Sequence, residues 1–337
     1  MNARWIRADR ASPATPGSRG DAREVGRMLT ILAGGTGAAR FLRGVLAVIP
    51  QEELALIGNT GDDVEIWGLH VSPDLDTLMY QLAGLLDEDR GWGLRGDSFA
   101  CLATIGMYGE PTWFALGDRD LATHVVRTKL LRHGYSLTEA TALLCARLGV
   151  RARLLPMSDD PVRTYVHTDL GVLAFQEFFV RERWQPEVTG VEYRGHEHAR
   201  PAPGVLEAIR QAQGILIAPS NPITSIGPIL SIPGIRSALQ EKRTSVLAIS
   251  PLIGTEAVSG PAGKLMRACG YEVSPRGVAR FYAGIASRLL IDERDVHWRE
   301  AIEREGVRVF TAPLFMSERE AAVRLARAAL ACLHFEA

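Results

Sequence analysis

Paired cysteines are missing from this sequence. Cys101, Cys145, Cys269 and Cys332 are its only cysteines and form no CxxC pair. Such spacing excludes a disulfide framework and a cysteine zinc site, and it fits the reduced thiols of a cytoplasmic protein. An excess of one charge is also missing. The 38 Lys and Arg stand against 39 Asp and Glu, a formal net charge of −1, so no global field favours nucleic acid or an anionic membrane. No apolar run approaches the roughly 18 residues that span a bilayer. The first 27 residues, MNARWIRADRASPATPGSRGDAREVGR, hold no apolar h-region. That excludes a secretory signal, and their Arg, Ala, Pro and Ser content predicts a disordered tail. Met28 directly precedes the first apolar run and offers an alternative start. Beyond it there is no internal repeat and no low-complexity linker.

What is present is ordinary for a globular enzyme: 337 residues, 47% hydrophobic and 23% charged, enough to bury a sizeable core. Apolar runs predict strands at 29–33, 54–58, 151–155, 214–218, 245–250 and 307–311. Helical patterns at 38–48, 204–212, 262–268 and 317–334 lie between several of them. This alternation predicts an α/β fold, a mostly parallel sheet with helices on both faces. Two stretches break the rhythm. Residues 76–148 predict consecutive helices, a helical insertion, and residues 162–194 predict a β-hairpin plus a third strand. The chain from 28 to 337 is expected to be one domain carrying these insertions.

Four loops carry the chemistry. In AGGTGAAR, Gly34, Gly35, Thr36 and Gly37 end the first strand and open a helix, where bare backbone N–H groups approach an anion. The nicotinamide fingerprint wants a third glycine where Arg40 stands; Arg40, with Arg43 one turn on, argues for phosphate instead of a dinucleotide. The second strand ends in GNTGDD, which sets Asn59, Asp62 and Asp63 at a strand's carboxyl end. Asp74 and Asp76 then open a helix in SPDLDT. Carboxylates gathered beside phosphate repel it unless a divalent cation intervenes, and that predicts Mg²⁺. In LGDRDLATH, Asp118, Arg119, Asp120, Thr123 and His124 crowd one helix start. In APSNPITSIGP, Ser220, Asn221, Thr224 and Ser225 offer hydroxyl and amide groups on a loop stiffened by Pro219, Pro222 and Pro228, suited to nucleotide contacts. SGPAGKLM fails as a phosphate-binding Walker loop, since Val258 and Leu265 stand where a glycine and a Ser or Thr belong; Lys264 is left able to touch an anion at that helix start.

The ordered set GGTGAARFLRG, NTGDD, SPDLDT, LGDRDLATH, PMSDDPVRT, APSNPITSIGPIL, IPGIR and SGPAGKLM resembles the 2-phospho-L-lactate transferases (CofD/FbiA type) of coenzyme F420 biosynthesis, from about Leu29 to the C-terminus. The resemblance implies a Rossmann-like core, Mg²⁺ dependence and a homodimer. It implies transfer of a phospho-three-carbon acid (2-phospholactyl, or the enolpyruvyl or glyceryl equivalent) from a guanosine-diphosphate donor to the ribityl hydroxyl of the deazaflavin Fo, releasing GMP. It places metal at Asp62 and Asp76. Asp63 or Asp118 then accepts the hydroxyl proton, with His124 also in the catalytic set. The glycine loop and residues 220–225 hold the guanosine diphosphate, while the helical insertion covers Fo, with Trp92 as a stacking ring. Some archaeal members carry a lysine where this chain has Ala115. The rival reading is a non-catalytic nucleotide-sugar-binding regulator of the related YvcK-like family, which has less need of the acidic and LGDRDLATH residues. An NAD-dependent oxidoreductase is disfavoured by Arg40.

Overall fold

The computed structural model describes residues 27–258 and 260–335; the expected tail, except Arg27, lies outside them. Seven strands form the central sheet: β1 (Leu29–Ala33), β2 (Leu54–Gly58), β3 (Arg153–Pro156), β4 (Gly214–Ile217), β5 (Val246–Ile249), β6 (Arg288–Ile291) and β7 (Arg308–Thr311). Their spatial order is 3-2-1-4-5-6-7, and every neighbouring pair is parallel. This is a Rossmann-like sheet extended by one strand.

Every residue of β1, β2, β4 and β5 is buried. Because helices cover both faces, these strands are continuous apolar runs instead of alternating ones. Side chains still alternate between layers. Leu29, Ile31 and Ala33 pack with Phe41 and Leu42 of helix α1 (Gly35–Val45) on one face, while Leu32 packs with Val205 and Ile209 on the other. Thr30, the polar residue of β1, donates its hydroxyl to Ala208 O at 2.7 Å and so leaves no unpaired group in the core.

The insertions lie at the carboxyl ends of β2 and β3. After β2 comes a hairpin the sequence did not reveal, Val64–Ile66 with Leu69–Val71, turning through Trp67 and Gly68 at φ 49 and 74. Four helices follow: α2 (Pro73–Leu82), α3 (Ala100–Met107), α4 (Asp118–Arg132) and α5 (Leu137–Arg147). The helical insertion therefore starts at Pro73, and residues 83–99 are irregular apart from a bridge between Leu86 and Leu94. After β3, strands Arg163–Thr168, Gly171–Ala174 and Val188–Arg194 form the antiparallel sheet predicted as hairpin plus strand. β6 escaped the sequence reading: RLLI is only four residues, flanked by charge. No helix among the described residues is long and apolar enough to cross a membrane.

The order reverses between β1 and β4. The helices that follow those two strands pack on opposite faces, and a crevice opens at the carboxyl edge, where ligands of such sheets bind.

Candidate functional site

A cavity of about 750 Å³ occupies that crevice. Its floor is the glycine loop. Helix α1 starts at Gly35, three residues earlier than the pattern indicated, so the loop's N–H groups belong to the first helical turn, which holds no acidic residue. Gly35 has φ +70, a conformation that glycine adopts without a Cβ penalty. Gly37 is needed for a different reason: a Cβ there would sit 2.4 Å from Pro219 O. Ser220 Oγ donates to Gly34 O at 2.7 Å, fastening the loop after β4 to the loop after β1. Thr36, Asn221, Thr224 and Ser225 line the same wall, although Asn221 Oδ1 is engaged in capping Ile223 N. Arg43 is paired with Glu88 at 3.0 Å. Arg40 lines the cavity with no hydrogen-bond or ion-pair partner among the described residues.

Buried carboxylates form the next layer. Asn59 Nδ2 donates to Asp74 Oδ2 at 2.9 Å and to Thr224 O at 3.2 Å, while its Oδ1 accepts from Gly61 N at 2.8 Å. Burial, then the Asp74 charge, push the Asp62 carboxyl well above the usual range. Burial raises Asp74 to about 6. Asp63 Oδ2 accepts from Ser72 Oγ and faces His70 Nε2, each at 2.9 Å. Asp62 Oδ1 and Asp63 Oδ1 are buried without a hydrogen-bond partner.

Among the described residues no three His, Cys, Asp or Glu form a ready-made metal cage. A cation shared with a diphosphate needs only one or two protein carboxylates. The free oxygen of Asp62 fits that demand. Asp76 also lines the cavity, but both its oxygens accept from the fully buried Arg127, one at 2.9 Å. Each carboxylate oxygen retains a second lone pair, so the ion pair orients Asp76 without exhausting it.

Asp76 belongs to a buried network. His124 Nδ1 lies 3.7 Å from Asp76 Oδ2, and His124 Nε2 lies 3.3 Å from Asp120 Oδ1. Tyr80 donates to Asp120 Oδ1 at 2.6 Å, with Thr123 Oγ1 at 2.8 Å. Burial, then Asp76 and Asp120, drive the Tyr80 hydroxyl far above its ordinary pKa, so it stays a neutral donor. Tyr80 and Arg127 were not recognised from the sequence. Their signal was helical spacing: Tyr80 is one turn beyond Asp76, and Arg127 one turn beyond His124.

Asp118, Arg119, Thr123 and Lys264 do not line the cavity. Asp118 is turned outward and caps helix α3, accepting from Ser98 Oγ at 2.6 Å, Cys101 N at 2.8 Å and Ala100 N at 3.1 Å. Those bonds, with Ser98 foremost, hold its carboxyl below the usual range, which suits a cap and not a base. Arg119 reaches Arg95 O at the surface, and Thr123 stands behind Tyr80. Lys264 touches no anion site, because its ammonium is bound to the carbonyls of Trp184, Gln185 and Pro186.

Aromatic side chains line the rest of the cavity. Trp92 stands at the rim, 36% exposed, edge-on to Phe99 and with the Arg90 guanidinium 5.2 Å from its ring. Phe175 and Phe179 stack at 5.5 Å with 11° between planes, and Trp113, Phe114 and Ala115 continue the surface. Flat, apolar rings and a polar, glycine-rich loop in one cavity describe a site for two chemically different ligands.

Residues 29–315 match the family described as 2-phospho-L-lactate transferase CofD. A 2-phospho-L-lactate transferase of Methanosarcina mazei is 45% identical over 298 residues, covering 88% of this chain and 98% of the relative. A phosphoenolpyruvate transferase of Streptomyces griseus is 45% identical over 308 residues, covering 90% and 97%. The crystal structure of a UPF0052 family protein from Bacillus halodurans superposes with TM-score 0.62 at 16% identity, covering 90% of this chain and 99% of that one, a likeness of fold.

Proposed function

The chain belongs to the 2-phospho-L-lactate transferase CofD family of coenzyme F420 biosynthesis, and from that premise we propose that it joins a guanosine-diphosphate-linked three-carbon acid to Fo with release of GMP. One observation carries the reading. The glycine loop, Arg40 and Asp62 line one cavity together with Trp92, Trp113, Phe175 and Phe179.

In this reading the backbone N–H groups of Gly35–Gly37 and the Arg40 guanidinium bind the diphosphate, and residues 220–225 hold the nucleoside. Attack by an alcohol on a diphosphate needs positioning and charge neutralisation more than covalent help. Asp62 and Asp76 would hold Mg²⁺, which when bound neutralises charge on the diphosphate oxygens. Arg127 holds Asp76 in place. Asp63, with a free buried oxygen beside Asp62, is the carboxylate we assign to the ribityl hydroxyl proton, since Asp118 is occupied as a cap. The aromatic wall receives the tricyclic ring of Fo.

Relatives named for 2-phospholactate and for phosphoenolpyruvate are equally similar to this chain, so the test includes each acid. Protein, Mg²⁺ and Fo are incubated with each donor in turn, the guanosine-diphosphate derivative of lactate, enolpyruvate or glycerate. The expected products are GMP and the phospho-linked deazaflavin from one donor. Nucleotide binding without GMP from any donor would favour a non-catalytic regulator.

A further inference from the structure

Lys264 sits in the first turn of the helix Ala262–Ala268, yet its ammonium points back across to another segment. It donates to Trp184 O at 3.3 Å, Gln185 O at 3.0 Å and Pro186 O at 3.0 Å. An ammonium has three N–H donors and no acceptor, so one contact to each carbonyl uses all of them. The Glu187 carboxylate at 3.6 Å adds a charge contact.

Three successive carbonyls converge on one atom only where the chain turns sharply. Arg183 and Trp184 have φ 49 and 48, and residues with a Cβ adopt that left-handed region at a cost. This turn closes the segment that carries Phe175, Phe179 and Val180 into the cavity wall. On the Lys264 side, Gly260 lies against the same rings: a Cβ there would be 3.6 Å from Phe179 Cε2. Lys264 therefore ties two walls of one cavity together through a strained turn.

We propose that Lys264 is a positioning residue for the aromatic half of the site. Its ammonium holds the 183–186 turn closed and so fixes the stacked Phe175–Phe179 pair against which the flat ring system of the acceptor lies. The turn is a matter of this chain's own geometry; the consequence for the acceptor rests on the proposed function.

Lys264→Met keeps the methylene stem and removes the donors. Amide hydrogen exchange in the folded protein reads the turn directly, and exchange over 183–187 should quicken by about tenfold or more while β1 and β4 stay unchanged. Fluorescence titration with Fo should show affinity weakened roughly three- to tenfold. Calorimetry with GDP should show affinity within about twofold, since among the described residues no side-chain hydrogen bond joins this turn to the glycine loop or to residues 220–225. Phe179→Leu, with Lys264 intact, should weaken Fo similarly, and the double variant should be no weaker than the worse single one, because both act on one ring pair. If Lys264→Met does not fold, Lys264→Arg replaces it, keeping the charge but presenting a planar fork that cannot serve three converging carbonyls.

Unchanged exchange at 183–187 overturns the clamp. Faster exchange with unchanged Fo affinity, additive losses in the double variant, or equal loss of GDP overturns its link to the ring pair. Failure of the wild-type protein to bind Fo overturns the acceptor reading instead, and the exchange result still decides the clamp.

Discussion

Around Gly34–Gly37 the cavity wall is main chain, two loops leaving adjacent parallel strands and touching where a Cβ on Gly37 would meet Pro219 O at 2.4 Å. Around Trp92, Phe175 and Phe179 the wall is side chain, carried by segments inserted after β2 and β3 and part-exposed at Trp92 and Phe179. A main-chain wall is as rigid as the sheet from which it grows. A wall of rings is only as fixed as the contacts beneath each inserted segment. The first suits a ligand portion whose shape is invariant, such as a diphosphate; the second can be remodelled while the sheet stays as it is. Substitutions on the two sides should therefore fail differently.

The largest contrast lies within the polar side. Asp62→Asn should lower turnover by about a hundredfold or more and leave stability in place, because burial already favours the neutral form of this carboxyl. Asp76→Asn should lose turnover and also about 3–5 kcal/mol of stability, since Arg127, with no exposed side-chain surface, is left without its partner. Steady-state rates with a magnesium titration, together with denaturant unfolding, separate the two effects. Full activity of Asp62→Asn at ordinary Mg²⁺ removes Asp62 from the mechanism, and equal stability of the two variants removes the structural role of the Arg127 pair.

The same carboxylates give the metal-free protein a pH signature. Asp74 has its folded pKa raised from 3.8 to about 6, so it binds its proton more tightly when folded. Its contribution to stability is then complete below about pH 4 and is lost as the pH climbs towards 6, on the order of 3 kcal/mol in all. Melting curves of wild type and Asp74→Asn between pH 4 and 6.5 should show the wild type losing more. Parallel curves would contradict the buried cluster, and Mg²⁺ with GDP should flatten the wild-type curve by compensating the charge.

Gly37→Val carries the comparison to the main-chain wall. Gly37 does not have positive φ, so the cost is closeness and not backbone conformation. Parting the β1 and β4 loops should cost about 1–3 kcal/mol. GDP binding by calorimetry should weaken by roughly tenfold, with Fo binding nearly intact. Equal loss of both ligands would mean one shared pocket.

The sheet and the glycine loop were legible because each is written locally, as a buried apolar run or as glycines at a strand end. β6 was not, because four residues between charges carry too little periodicity. The acidic clusters were legible as residues, but their partners were not. Arg127 reaches Asp76 from a helix 51 positions away, and nothing local marks that meeting. Asp118 illustrates the opposite error: an acid at a helix start suggested chemistry, whereas its bonds run to the N-terminus of a different helix. Lys264 was misjudged because backbone carbonyls, its true partners, have no sequence signature at all.

The smallest effect is expected at the rim. Trp92 sits in the irregular 83–99 segment between Gly91 and Gly93, both at positive φ, and Arg90 lies over its ring while itself held by Asp87 at 2.7 Å. The ring is thus oriented by a cation that is fixed in place, yet more than a third of it is open to solvent. Trp92→Ala removes a stacking surface without opening a core, so stability should change little. Stacking on a fully sandwiched base is worth about 1–3 kcal/mol per ring, and a rim position should give the lower end, about 1 kcal/mol. Fo titration should therefore show affinity reduced by about fivefold, with GDP affinity unchanged. A loss confined to Fo keeps the two walls separate in function as they are in construction. An unchanged Fo affinity would shift the acceptor away from the rim towards the Phe175–Phe179 pair, and a fall in melting temperature would show that Trp92 serves the fold of the loop instead of the ligand.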